Sequence, residues 1–190
     1  MAKVLAVNGS PRHGGNTAAM LGTVLELCKS AGHETEIFQA GGREIRGCLA
    51  CGACFKTHPG KCVTDDWMND LYKKMLEADA IILGSPTYFS DLTPEMKAVI
   101  DRCGYLCRSD KMSLSRKIGA AVSAVRRAGA IHTLDSIQHF FTINDMIVVG
   151  SSYWNMSLSR ALGDYENDEE GNKTMTRLGE NIVWLLDKLK

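Results

Sequence analysis

Apolar runs alternate with amphipathic stretches from one end of the chain to the other. The runs Val4–Asn8, Glu34–Gln39, Ala80–Gly84, Ile118–Ala124 and Met146–Val149 predict strands. Helical spacing of apolar positions predicts helices over Thr17–Ala31, Asp66–Glu77, Pro94–Cys107, Ala130–Phe140 and Lys173–Leu189. Strands separated by helices imply an α/β fold with a doubly wound parallel sheet. The strands are short and mostly apolar, as expected when helices cover both faces. A five-stranded sheet in the order 2-1-3-4-5 opens its ligand crevice between the carboxyl ends of the first and third strands.

Two segments break the rhythm. Gly41–Asp65 carries four cysteines, and Ser151–Asn172 carries Tyr153, Trp154 and an acidic run. Long loops inside a compact domain are usually functional or disordered. No repeat or linker divides the chain. Residues 1–190 are therefore expected to form a single domain with a Cys-rich insert at 41–65.

Composition narrows the partners. The 190 residues include 22 Lys and Arg and 22 Asp and Glu, so the formal net charge is zero. Neither nucleic acid nor an anionic membrane is the expected partner. The run Val4–Val7 is too short for the core of a signal peptide, and no stretch has the length of a membrane span. A cytoplasmic location is expected, where seven cysteines are not read as a disulfide framework.

The first strand runs into Asn8-Gly9-Ser10-Pro11-Arg12-His13-Gly14-Gly15-Asn16-Thr17. A glycine-rich turn before a helix aims backbone N–H groups at an anion, and the helix dipole favours negative charge there. Neither the P-loop pattern nor the G-x-G-x-x-G dinucleotide fingerprint is present. Ser10, Arg12, Asn16 and Thr17 instead offer hydroxyl, amide and guanidinium donors that suit a monophosphate. Taken alone, the segment also fits an ordinary βα turn with Asn16 or Thr17 as N-cap. After the third strand comes Gly84-Ser85-Pro86-Thr87-Tyr88-Phe89-Ser90, across the same crevice. Pro86 stiffens that loop, and Tyr88 and Phe89 offer flat apolar surface to a planar ring or simply pack the loop. Thr93 and Pro94 read as the N-cap and first position of the next helix.

The cysteines of the insert are spaced Cys48-x2-Cys51-x2-Cys54-x7-Cys62. The first three match the C-x2-C-x2-C run of [4Fe–4S] ligands, with Gly47 and Gly52 available for tight turns. A four-thiolate zinc site and a metal-free redox pair such as Cys48–Cys51 remain open alternatives. Cys28, Cys103 and Cys107 fall on helices and read as small buried hydrophobes.

With these features the chain resembles the flavodoxin-like NAD(P)H-dependent FMN reductases, and in particular their iron–sulfur flavoprotein branch. The resemblance rests on Gly9-Ser10-Pro11-Arg12 with Asn16-Thr17, on Gly84-Ser85-Pro86-Thr87-Tyr88, on Lys97 with Asp101-Arg102, and on the cysteine motif. It implies a flavodoxin-like three-layer fold. It implies that Ser10, Arg12, Asn16 and Thr17 hold the FMN phosphate, and that Pro86, Thr87, Tyr88 and Phe89 line the ribityl chain and ring. It also implies that the loop after the fourth strand, with Ser123, Arg126 and Arg127, approaches the pyrimidine edge. Here that loop lacks the glycine-rich stretch of many relatives. Cys48, Cys51, Cys54 and Cys62 would ligate a [4Fe–4S] cluster.

The implied activity is an FMN-dependent oxidoreductase. It would move electrons between NAD(P)H or a ferredoxin and a small acceptor: a quinone, a flavin or an oxygen species. No residue stands out as a dedicated catalytic acid, base or nucleophile. The resemblance further implies a homodimer or homotetramer. Two other functions stay open from the sequence: a non-catalytic flavodoxin-like electron carrier, and a cysteine-based redox or metal sensor.

Overall fold

A computed structural model describes residues 1–57 and 59–189; His58, inside the Cys-rich insert, and Lys190 lie outside the described residues. The chain forms β1 (Lys3–Asn8), α1 (Asn16–Ser30), β2 (Glu34–Gln39), α2 (Ala53–Lys56), α3 (Met68–Glu77) and β3 (Ala80–Pro86). It continues with α4 (Pro94–Ser109), β4 (Ile118–Val125), α5 (Ala130–Ile143), β5 (Ile147–Val148), β6 (Met156–Leu158), a 3-10 turn at Asp164–Asn167 and α6 (Glu169–Lys188). All strand pairs are parallel, in the order β2-β1-β3-β4-β5, as the sequence predicts.

Alternation along the strands builds two cores. Side chains of successive strand residues point to opposite faces. Leu5, Val7, Ile81 and Leu83 pack with Leu71, Met75, Met96, Val99, Phe140 and Phe141 of α3, α4 and α5. Val4, Ala6, Ile82, Ala120 and Val122 pack with Met20, Leu21, Val24, Leu178 and Ile182 of α1 and α6. The central strands β3 and β4 are buried along nearly their whole length, which is why their sequence reads as continuous apolar runs.

The fifth strand differs from the expectation. The strand expected over Met146–Val149 shrinks to two residues, and β6, which the sequence reading misses, joins the same edge of β4. Ile118 pairs with Ile147 and Ser123 with Met156, so β4 advances five residues while its neighbour advances nine. The surplus of four residues arches out as a loop carrying Tyr153 and Trp154. An edge strand broken this way gives too short an alternation to read.

The acidic run Asp164–Glu170 is structural. Asp168 caps α6 by accepting from Gly171 N–H at 3.0 Å, and its other oxygen accepts from Ser157 Oγ and Leu158 N–H. The last helix therefore begins at Glu169, four residues before its predicted start. Among the described residues no helix is long and apolar enough to cross a membrane.

Candidate functional site

The loops after β1, β2, β3 and β4 meet at the carboxyl edge of the sheet. Asn8 pairs in register with Gly84, and Gly9 N–H donates to Gly84 O at 2.7 Å. Thr93 caps α4, accepting from Met96 N–H, and donates its own hydroxyl to Gly9 O at 2.8 Å. The start of α4 is thereby tied to the cradle. A Cβ on Gly41 would lie within 2.4 Å of backbone atoms of Gly9 and Ser10. The loop after β2 thus presses on the cradle so closely that only glycine fits.

Inside the cradle, Ser10 is buried, and its Oγ accepts from Arg12 N–H at 3.2 Å. Gln39 Nε2 holds Ser10 O at 2.6 Å and Gly41 O at 2.7 Å. Arg12 is exposed and Thr17 is buried. The N-cap of α1 is Gly15, which carries no side chain to satisfy the first-turn N–H groups. Neither Asn16 nor Thr17 is the cap. Such an end presents donors and partial positive charge to an anion.

Asn16 is engaged elsewhere. Its Nδ2 donates to Ala161 O at 2.7 Å, and its Oδ1 accepts from Gly163 N–H and Tyr165 N–H. Tyr165 OH donates to Thr23 Oγ1 at 2.9 Å, completing the attachment to α1. This brings Arg160 beside the cradle, where Arg12, Gly14, Arg160, Ala161 and Leu162 line one shallow pocket. Arg160 lies within the long connection flagged from sequence, but nothing in its local pattern singles it out.

The loop after β3 is braced from two sides. Thr87 N–H donates to Ala124 O, and Thr87 Oγ1 shares hydrogen bonds with Ser123 Oγ and Thr133 Oγ1, each at 3.0 Å. Ser123 lies within β4 and is fully buried, so its hydroxyl braces this loop. Tyr88 and Asp91 form a two-bond bridge, with Phe89 and Ser90 at the tip at φ of 48° and 66°. Left-handed backbone at two consecutive non-glycine residues is strained and costs about 1 kcal/mol or more at each. The turn leaves Phe89 fully exposed and Tyr88 half exposed beyond Pro86. Gly129, at φ of 95°, packs against Ser90 and Thr87; a Cβ there would lie 2.9 Å from Ser90 Cα. It starts α5 without a side-chain cap, just after the exposed Arg126 and Arg127.

The four cysteines of the insert gather on α4. Cys48, Cys51, Cys54 and Cys62 line one small concavity together with Arg102, Tyr105 and Leu106. Ala50 and Gly52 adopt left-handed φ of 50° and 69°, turning the chain between Cys48 and Cys54. Ala50 N–H donates to Cys48 Sγ at 3.5 Å. Among the described residues, no three Cys, His, Asp or Glu side chains converge on a single metal-ion position. Cys48 and Cys51 are exposed, whereas Cys54 and Cys62 are half-buried.

Arg102 is the residue of this site that the sequence reading left without a role. It is buried and forks onto Asp66, Nη1 to Oδ2 at 2.6 Å and Nη2 to Oδ1 at 2.8 Å. It also donates to Cys62 Sγ at 3.3 Å. Burial works against its charge, but the hydrogen bonds to Asp66 and Cys62 prevail and hold the guanidinium above its usual pKa. A legible signal exists: Arg102 falls among Met96, Val99, Cys103 and Leu106 on the apolar stripe of α4. Cys28, Cys103 and Cys107 are buried as expected, and burial pushes the Cys28 thiol up to about 11.

The chain is similar to several known proteins. A family model of NADPH-dependent FMN reductases matches residues 2–160. An iron–sulfur flavoprotein of Methanocaldococcus jannaschii is 35% identical over 195 residues, covering 99% of this chain and 99% of the relative. An iron–sulfur flavoprotein of Methanosarcina thermophila is 34% identical over 192 residues, covering 99% of this chain and 97% of the relative. Among solved structures, a WrbA-like flavodoxin protein from Agrobacterium tumefaciens superposes with a TM-score of 0.65 at 17% identity, each chain covered fully. That last likeness concerns the fold.

Proposed function

This chain belongs to the NADPH-dependent FMN reductase family, and from that premise we propose that it is an FMN-dependent oxidoreductase with a [4Fe–4S] relay. It passes electrons between NAD(P)H or a ferredoxin and a small acceptor such as a quinone, another flavin or an oxygen species. The observation that carries the reading is the uncapped start of α1 beneath the Ser10–Gly15 loop, beside the braced loop after β3.

Ser10 Oγ, the Arg12 guanidinium, Thr17 and the first-turn N–H groups of α1 bind the FMN phosphate. Asn16 shapes the cradle by holding the segment of Arg160 against it. Pro86, Tyr88 and Phe89 flank the ribityl chain and ring, while Thr87 and Ser123 hold their loop in place. Arg126 and Arg127 stand on the loop toward the pyrimidine edge, where positive charge favours a reduced, anionic ring. FMN, when bound, supplies hydride and one-electron chemistry.

Cys48, Cys51, Cys54 and Cys62 hold the [4Fe–4S] cluster, which supplies single-electron transfer. The donor set fits. Four thiols border one concavity, and backbone and guanidinium N–H groups already point at two of the sulfurs. The names of the iron–sulfur flavoprotein relatives support the same assignment. The working assembly is a homodimer or homotetramer.

Steady-state oxidation of NADH and NADPH with a soluble quinone, in the absence of oxygen, tests the enzymatic reading. Turnover with a nucleotide or with reduced ferredoxin, proportional to FMN content, is expected. FMN-replete protein that reduces quinone from none of these donors is a carrier or sensor instead.

A further inference from the structure

Arg102 does more than a buried ion pair requires. A guanidinium in the interior is costly unless paired, and Asp66 alone supplies a two-point partner. Further contacts of its two Nη groups reach the Cys-rich insert at both its ends, while Nε is buried without a partner. Nη1 donates to Arg46 O at 3.3 Å, two residues before Cys48, and Nη2 reaches Thr64 O at 3.4 Å, two residues after Cys62. Nη2 also donates to Cys62 Sγ itself at 3.3 Å. Asn69 completes the grip on Cys62, accepting from its N–H at 2.9 Å and donating to its carbonyl at 3.2 Å. Cys62 is therefore the most firmly placed of the four sulfurs, whereas Cys48 and Cys51 sit on an exposed loop.

We propose that Arg102 is a positioning residue for the cysteine site, fixing the Cys62 sulfur as the anchor ligand and stabilising the reduced state of the cluster bound there. The inference rests on the cluster reading above. An electron added to a thiolate-ligated cluster increases the negative charge on its sulfurs. A fixed cation that also donates a hydrogen bond to a ligand sulfur favours that state and raises the reduction potential. Asp66 neutralises only part of this effect, because its carboxylate faces the guanidinium rather than the sulfur.

The test uses full-length wild type, Arg102→Gln and Arg102→Lys, purified without oxygen. FMN content and the thermal midpoint report whether each variant is folded. Redox titration followed by electron paramagnetic resonance is expected to give a lower cluster potential in Arg102→Gln, with Arg102→Lys between. Iron transfer to a chelator is expected to quicken about tenfold in Arg102→Gln. Unchanged potential and unchanged iron loss in FMN-replete variants would overturn the proposal. Should neither variant fold, wild type labelled with guanidino-15N arginine decides the matter. Reduced protein should then show a 15N coupling to the cluster, and its absence counts against the hydrogen bond. Iron and sulfide missing from wild type remove the cluster reading and this inference together, whereas loaded wild type with indifferent variants removes the inference alone.

Discussion

Replacing Ser10 and Arg12 together by alanine should weaken FMN binding about a hundredfold, since each hydrogen bond to a charged group is worth about 1.5 kcal/mol or more. In the proposed site both groups face the FMN phosphate. Ser10 Oγ is buried at the turn and accepts from Arg12 N–H, which leaves its own proton free to donate outward. Arg12 is exposed, so removing its side chain leaves the core untouched. Riboflavin is the control, because it has the same ring and ribityl chain but no phosphate. Fluorescence titration should show riboflavin affinity held within about threefold while FMN affinity falls. Equal loss for both ligands would place the phosphate elsewhere.

Asp66→Asn should destabilise the protein by about 3 kcal/mol, the cost of leaving a buried charge without its counterion. Asparagine keeps the shape of the residue and can still accept from Met68 N–H as Asp66 Oδ1 does. The charge opposite Arg102 is lost, and with it one of the two fork hydrogen bonds, because an amide NH2 replaces an acceptor oxygen. For a chain of this size the thermal midpoint should fall by about 10 °C. Asp65→Asn, at the exposed neighbouring position, should stay within about 0.5 kcal/mol of wild type. Matching midpoints for the two variants would mean that the pair with Arg102 carries no net stability.

Much of this architecture is written in the chain. Apolar runs mark β1, β3 and β4 because both faces of those strands are covered, and glycine-rich turns mark the crevice between them. What escapes is set by partners distant in sequence. Asn16 reads as a phosphate donor, yet it is held by backbone groups some 145 residues away. Ser123 reads as a loop contact but spends its hydroxyl on Thr87. β6 is too short to show an alternation, and Arg160 reaches the cradle only through the fold of the loop that Asn16 holds. The buried pairing of Arg102 is legible too, since an arginine on an apolar helix stripe demands a buried partner.

The proposed electron relay requires one chain to hold both a flavin and an iron–sulfur centre. Protein purified strictly without oxygen settles this in a single preparation, by its visible spectrum together with iron, acid-labile sulfide and FMN determinations. The predicted result is stoichiometric FMN with iron and sulfide in equal amounts, and a broad shoulder beneath the two flavin bands. Flavin bands alone, with iron and sulfide near zero, or zinc in their place, would contradict it.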